Sequence, residues 1–406
     1  MCPYGQYMTG DGHSGGEKRV LVVGGGVAGV ELALALRDLA ADRVVVTLCD
    51  PRREFVFRPF AVGEPYGAAR VFRYDLPRLA ERAGAEFCDA GVVAVEAEQR
   101  RAVTRDGERL PYDYLVMVAG ARLLWAVPGA VTFWGVADEG QVGHLVNQLR
   151  AGVLERLVFT MPGGRSWALP LYELALLAAT QRDAAGASRT ALTVVTPEDA
   201  PLELFGRGAA EQVSALLEER GIELVTGAHP VHFDHRRLCL VPGAEIEADA
   251  VISLPRLEGR AFSGVPHDAD GFISVDSHGR VIGLERVFAA GDLTDFPIKQ
   301  GGIATQQADA VAEAIAADVG VQVDPQPFEP VMRGVLWTGR EPRYLYGRPS
   351  GGYGDQSRLS AEPEDGAATD KIAGRYFSPF VESLAEEAEE ESSNGIRQHL
   401  RLSRSA

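Results

Sequence analysis

Short apolar runs alternate with helix-period segments along most of this chain. Residues 18–50 open with the run VLVV, turn through GGGVAG, continue as the helical pattern VELALALRDLAA and close on VVVTLCD, which predicts a β-α-β unit. Residues 52–77, which include FVFRPFAVGEPYGAARVFRYDLP, read as a long connection rich in aromatic side chains and arginine. Short strands are predicted near 85–95 and 101–104, followed by the buried strand YLVMVAG at 114–120. A second series, LERLVFTMP, LPLYELALLAAT, ALTVVTPE, AAEQVSALLEERG and IELVTG, repeats the strand-helix order and predicts a second parallel sheet. From Asp268 the chain offers GFISVD, VFAAGD and the Gly-started helix GGIATQQADAVAEAIAADVG, which reads as a return to the first unit. Pro325, Pro327 and Pro330 then mark a boundary. The expected class is α/β, with two Rossmann-like domains and a smaller C-terminal interface region. The expected divisions are a loose arm at 1–17, a discontinuous first domain at 18–140 and 265–322, and a second at 141–264. A cap region at 323–380 and an acidic tail at 381–406 complete the chain.

Composition narrows the class. A chain of 406 residues exceeds what one hydrophobic core usually serves, and its 46% hydrophobic and 24% charged shares exclude collagen-like and wholly disordered classes. A net charge of -17 repels phosphate backbones and anionic lipid, so nucleic acid is not expected as a partner. Cys2, Cys49, Cys88 and Cys239 form no C-x-x-C pair, which points to a reducing compartment and makes the cytoplasm the expected location. The start of the chain lacks a secretory leader pattern. The most apolar long stretch, 114–136, is broken by Gly120, Arg122, Pro128 and Gly129, so no transmembrane segment is expected and at most peripheral membrane contact. His229, His232 and His235 recur every third residue, a spacing that alternates faces in a strand, and no metal is expected.

The chemistry is concentrated in glycines and two acids. Gly24, Gly26 and Gly29 satisfy G-x-G-x-x-G between a strand and a helix, where they permit a tight turn, close diphosphate approach and close helix packing. Asp50 ends the next strand, where a carboxylate can accept hydrogen bonds from ribose hydroxyls. VFAAGD then delivers Gly291 and Asp292 into a loop before the late helix. With the glycine triplet, VFAAGD and the segment VMVAG at 116–120, which looks like an A-T-G loop without its Thr, the chain resembles the two-dinucleotide-domain FAD-dependent pyridine nucleotide-disulfide oxidoreductase superfamily over roughly residues 18–320. The resemblance implies FAD as cofactor, Asp292 on its ribityl chain, and Ala119 and Gly120 beside it. A helix starting near Gly301, Gly302 and Ile303 would aim unpaired N–H groups and a positive dipole end at the flavin. Arg58 would pair with a cofactor phosphate. Lys299 and Gln300 would hydrogen-bond a quinone carbonyl or the flavin edge, or simply form a surface loop pair.

The second series sets the branch. After LERLVFT the chain reads MPGGRSWALPLYELALL, with Gly163 and Gly164 but no third glycine, so a pyridine-nucleotide site is degenerate there. This loop, with VTLCDPRREFVFRP and PIKQGGIATQQADAVAEAI, is most similar to the sulfide:quinone oxidoreductase and type II NADH dehydrogenase group. That resemblance implies Glu173 as a proton relay facing the flavin, with a solvated or capping Glu173 as the alternative. The sulfide enzymes carry cysteines beside the flavin, and this chain has none between Cys88 and Cys239. The dehydrogenases carry an intact second glycine loop and a Gln where this chain has Gly302. The expected function is an FAD-dependent oxidoreductase passing electrons from an unidentified small-molecule donor to a quinone or similar acceptor, with a homodimer left open. The alternatives are an NAD(P)H-dependent dehydrogenase and a non-catalytic flavin-binding interaction protein.

Overall fold

A computed structural model describes residues 16–135, 140–348, 358–360 and 371–387. The chain runs β1 (Lys18–Val23), α1 (Val27–Ala40), β2 (Val44–Cys49), β3 (Ala85–Cys88) and β4 (Tyr114–Met117). It continues through β5 (Val131–Thr132), α2 (Gln141–Arg150), β6 (Arg156–Thr160), α3 (Leu169–Ala184), β7 (Ala191–Val195), α4 (Arg207–Glu219), β8 (Ile222–Val225) and β9 (Ala250–Ser253). The return consists of β10 (Val287–Ala289) and α5 (Gly301–Asp318), followed by β11 (Met332–Leu336), β12 (Arg343–Gly347) and β13 (Arg358–Ser360).

Two parallel sheets result. The first has the order β10-β4-β1-β2-β3, so the late strand closes onto the early unit. Alternation along β1 explains its two covered faces: Val20 and Val22 pack with Leu34 of α1 and Ile315 of α5, whereas Leu21 and Val23 pack with Leu115 and Met117 on the other side. The second sheet has the order β5-β9-β6-β7-β8. There Leu157 and Phe159 share a core with α3, and Val158 faces the opposite cluster with Val195 and Val251. The expected boundary at 140 put Val131–Thr132 in the first unit, but β5 pairs in parallel with β9 and belongs to the second sheet.

The C-terminal region forms the antiparallel sheet β11-β12-β13, and its Met332, Leu336 and Leu345 join the core beneath α3. Residues 377–387 are helical, so the expected tail boundary at 381 is corrected: Leu384 is buried with Phe377 in the core of the first unit. The rest of that tail and most of the expected N-terminal arm lie outside the described residues. Among the described residues no helix is long and apolar enough to cross a membrane.

Candidate active site

The glycine loop is shaped by contacts that no other residue permits. Only residues 24–26 separate β1 from α1. Gly24 has φ +123°, and a Cβ there would lie 2.4 Å from Val118 O. A Cβ on Gly29 would lie 2.1 Å from Gly24 O, so α1 rests directly on its own entry turn. Gly26, the N-cap of α1, has open space where a side chain would be. Asp50 lies beneath this turn, accepting Gly25 N at 2.8 Å and the Arg52 guanidinium through Nε and Nη2, both at 3.0 Å. Burial alone would raise its pKa, but the Arg52 and Gly25 hydrogen bonds outweigh that and hold it below the ordinary carboxylate value.

Two cavities of about 730 and 390 Å3 meet at this turn, and both are lined by Arg52, Ala119 and Arg260. The larger also touches Gly24, Asp50 and Arg122. The smaller touches Gly26, Arg58, Gly120, Gly291, Asp292 and Gly301. Sequence reading missed Arg52 and Arg260. Arg52 was findable, two positions beyond the strand-terminal acid, whereas Arg260 lies in a segment with no motif.

In the smaller cavity the Asp292 carboxylate has no hydrogen-bond partner among the described residues. Burial raises its pKa, against the pull of Lys299 and Arg58. The N–H groups of Gly301 and Gly302 open α5 without a protein acceptor among the described residues, whereas Ile303 N donates to Gln300 O at 3.1 Å. Of these three helix-start residues only Gly301 lines the cavity; Ile303 is core, and Ile372 closes over Gly301. Neither Lys299 nor Glu173 lines either cavity. Lys299 Nζ donates to Thr294 O at 2.5 Å and sits 4.1 Å from the Phe272 ring centroid, and burial pulls its pKa down to about 8. Gln300 is buried, with Nε2 donating to Arg333 O. Glu173 is buried under Lys371, which donates to it, and also accepts Trp337 N at 2.8 Å. Burial pushes the Glu173 carboxyl up and the Lys371 amine down, each opposed by the other. Lys371 precedes the cavity-lining Ile372, so this pair adjoins the smaller cavity through one residue. Lys371 gave no sequence signal, since it lies in a stretch with no periodicity.

The corresponding corner of the second unit is built differently. Residues 161–168 separate β6 from α3, and Ser166 in that loop bridges to Ile298. Trp167 packs edge-on against Phe205 with centroids 5.7 Å apart. Glu198, past the end of β7, accepts Tyr172 Oη at 2.6 Å and Thr196 Oγ1 at 3.0 Å, and burial pushes its pKa up to about 7.

The first unit thus offers an elongated, arginine-bearing trough against its glycine turn, whereas a cavity of about 670 Å3 in the second unit lies along α4, lined by Asp199, Glu203, Arg207 and Glu211, and not by residues of the β6–α3 turn. The first trough is the build of a flavin-dinucleotide oxidoreductase. The glycine contacts, the unpartnered Asp292 carboxylate and the free helix-start N–H groups fit FAD. The chain belongs to the pyridine nucleotide-disulphide oxidoreductase family, whose model matches residues 8–124 and 171–314, and it is an FAD-dependent oxidoreductase. It is 25% identical over 218 residues to the sulfide-quinone reductase of Aquifex aeolicus, a match covering 51% of this chain and only half (50%) of that protein. It is 30% identical over 304 residues to the ferredoxin–NAD(+) reductase component of the anthranilate 1,2-dioxygenase system of Burkholderia cepacia, covering 68% and 67%. Among solved structures, the sulfide:quinone oxidoreductase of Aquifex aeolicus superposes with a TM-score of 0.77 at 22% identity, over 84% of this chain and 86% of that one.

Proposed function

We propose that this flavoenzyme passes electrons from a small-molecule donor other than NAD(P)H to a quinone or a similarly flat, apolar acceptor. The observation that carries the reading is the altered entry turn of the second unit, where a loop of eight residues (161–168) without a third glycine, and a Glu198 held by Tyr172 and Thr196, stand in place of a G-x-G-x-x-G turn with a free acid. Gly24, Gly26, Gly29, Asp50 and Arg58 would hold the dinucleotide's adenosine and phosphate parts. Ala119, Gly120, Gly291, Asp292 and Gly301 would hold its flavin half. When bound, FAD supplies a carrier that takes two electrons from one partner and releases them to another.

The chain's own groups would manage protons and access. Lys371 Nζ and Glu173 Oε1 share a proton inside the protein, and a buried pair with opposed shifts can give or receive one as charge changes nearby. Ile372 separates the smaller cavity from a further one of about 160 Å3 lined by Phe57, Phe60, Phe72, Tyr74 and Phe377, a surface suited to an aromatic ring. Among the described residues no cysteine lines the smaller cavity, which weighs against sulfide capture through a flavin-side thiol. Free Cys49 and Cys239 support a reducing compartment, in keeping with the cytoplasm.

Anaerobic titration of the purified protein tests this. NADH and NADPH are expected to leave the flavin oxidised, and a short-chain quinone to reoxidise dithionite-reduced protein rapidly. Rapid bleaching by NADH would replace the reading with its rival, an NAD(P)H-dependent dehydrogenase, which the 30% identity to a ferredoxin–NAD(+) reductase component favours.

A further inference from the structure

Arg260 is the least explained charge beside the trough. It sits on the segment returning from the second unit, two residues past the strand Arg256–Glu258, which pairs antiparallel with Arg122–Leu124. It makes no hydrogen bond or ion pair with any described residue, whereas its neighbour Arg122 pairs with Glu258. Burial lowers its pKa, and repulsion from Arg52 and Arg122 lowers it further. A chain of net charge -17 that sets an unpaired guanidinium beside two paired ones, Arg52 and Arg122, in a cavity is positioned to receive an anion.

The location defines which anion. Arg260 and Arg52 are the two charged residues common to both cavities, so they flank the neck between them. A dinucleotide placed along both cavities has one group for that neck, its diphosphate. Arg52 is already aimed: Asp50 holds its Nε and Nη2, and Nη1 has no acceptor among the described residues. We infer that Arg52 and Arg260 form a diphosphate clip, with Asp50 as the positioning residue for Arg52 and Arg260 supplied by the inter-domain segment. The inference rests on the FAD reading above. Its consequence is that cofactor binding ties the connection between the two units to the glycine loop, because one side chain of that connection holds the ligand.

The test is the rate at which the holoprotein loses FAD on dilution, followed by the rise in flavin fluorescence at low and high salt. Arg260→Ala and Arg52→Ala should each release FAD roughly 10- to 100-fold faster at low salt, the range for losing a charge-assisted hydrogen bond. The gap from the unsubstituted protein should narrow at high salt, as phosphate contacts are screened. Arg256→Ala, on the same segment but lining neither cavity, should release FAD at the unsubstituted rate. Arg260→Gln serves if the alanine variant does not fold. Unchanged release from the Arg260 variants would overturn the clip while leaving FAD binding intact. An acceleration equal at both salt concentrations would also overturn it, since it would mark loosened packing. A protein that is isolated colourless and refuses added FAD would instead defeat the cofactor reading itself.

Discussion

The two β-α-β corners of this molecule share a frame and differ at three places. The third residue of α1 is Gly29, lying against its own entry turn; the third residue of α3 is Leu171, fully buried in the core. The entry turn takes residues 24–26 in one and 161–168 in the other. The acid after the second strand, Asp50, faces a cavity and an arginine, whereas Glu198 is turned under Tyr172 and Thr196. At the fifth helix position they agree: Glu31 and Glu173 are both buried and both accept N–H groups from the C-terminal region. Burial of apolar strands and helices is therefore enough to keep the topology, while ligand capacity depends on a few small residues and the aim of one carboxylate.

The largest effect should come from exchanging the third-position residues. Gly29→Val forces side-chain atoms toward Gly24 O, and overpacking of about 1–3 kcal/mol falls directly on the cofactor turn. Visible flavin absorbance per chain after gel filtration should drop roughly ten-fold or more. Leu171→Ala should cost about 2–5 kcal/mol in urea unfolding and leave the flavin content unchanged. If Leu171→Ala also empties the flavin site, the two corners are not independent. Next in size is Lys371→Ala, which leaves Glu173 buried without its cation and should cost about 3–5 kcal/mol at neutral pH. Adding Glu173→Gln should recover part of that loss, because the stranded charge is removed. In α1, Glu31 meets Asp309 and backbone N–H groups rather than a buried lysine, so Glu31→Gln should cost less.

Much of this was legible in sequence because it is local. The glycine spacing, the strand-terminal Asp50 and the loop carrying Gly291 and Asp292 each lie within a few residues of the element that places them, and Gly24, Gly26, Asp50, Gly291 and Asp292 line the trough. The absent third glycine after β6 was equally visible. The partners of Glu173 were not, since Lys371 lies 198 residues away in a segment with no periodic pattern. Arg260 was hidden for a similar reason: its place depends on the path of the return segment. Lys299 was legible only in part. Its place before a glycine-started helix suggested a hydrogen bond to a quinone carbonyl or the flavin edge, or a surface loop pair; its burial against Phe272 and the Thr294 carbonyl removes the surface alternative.

The effect spread over the widest range of conditions concerns the acids that follow the second strand of each corner, whose pH dependences have opposite signs. Asp50 has its pKa lowered in the folded protein, so its contribution is present above the ordinary carboxylate value of 3.8 and is lost as pH falls through the lowered one. Glu198 has its pKa raised from 4.5 to about 7, so its contribution is complete below 4.5 and is lost as pH rises through 7. Over that window Glu198 should remove about 3 kcal/mol of unfolding free energy. Other acids with raised pKa, Glu173 and Asp292 among them, slope the same way, so the informative quantity is the difference between the unsubstituted protein and Glu198→Gln. That difference should grow steadily between pH 4.5 and 7 and then level off. Asp50→Asn should leave the same window unchanged. Tyr172→Phe removes a donor that favours the Glu198 anion, and should carry the upper edge of the window to still higher pH. A flat difference curve would mean that Glu198 is solvated, and that the second corner is open enough to receive a nucleotide ribose after all.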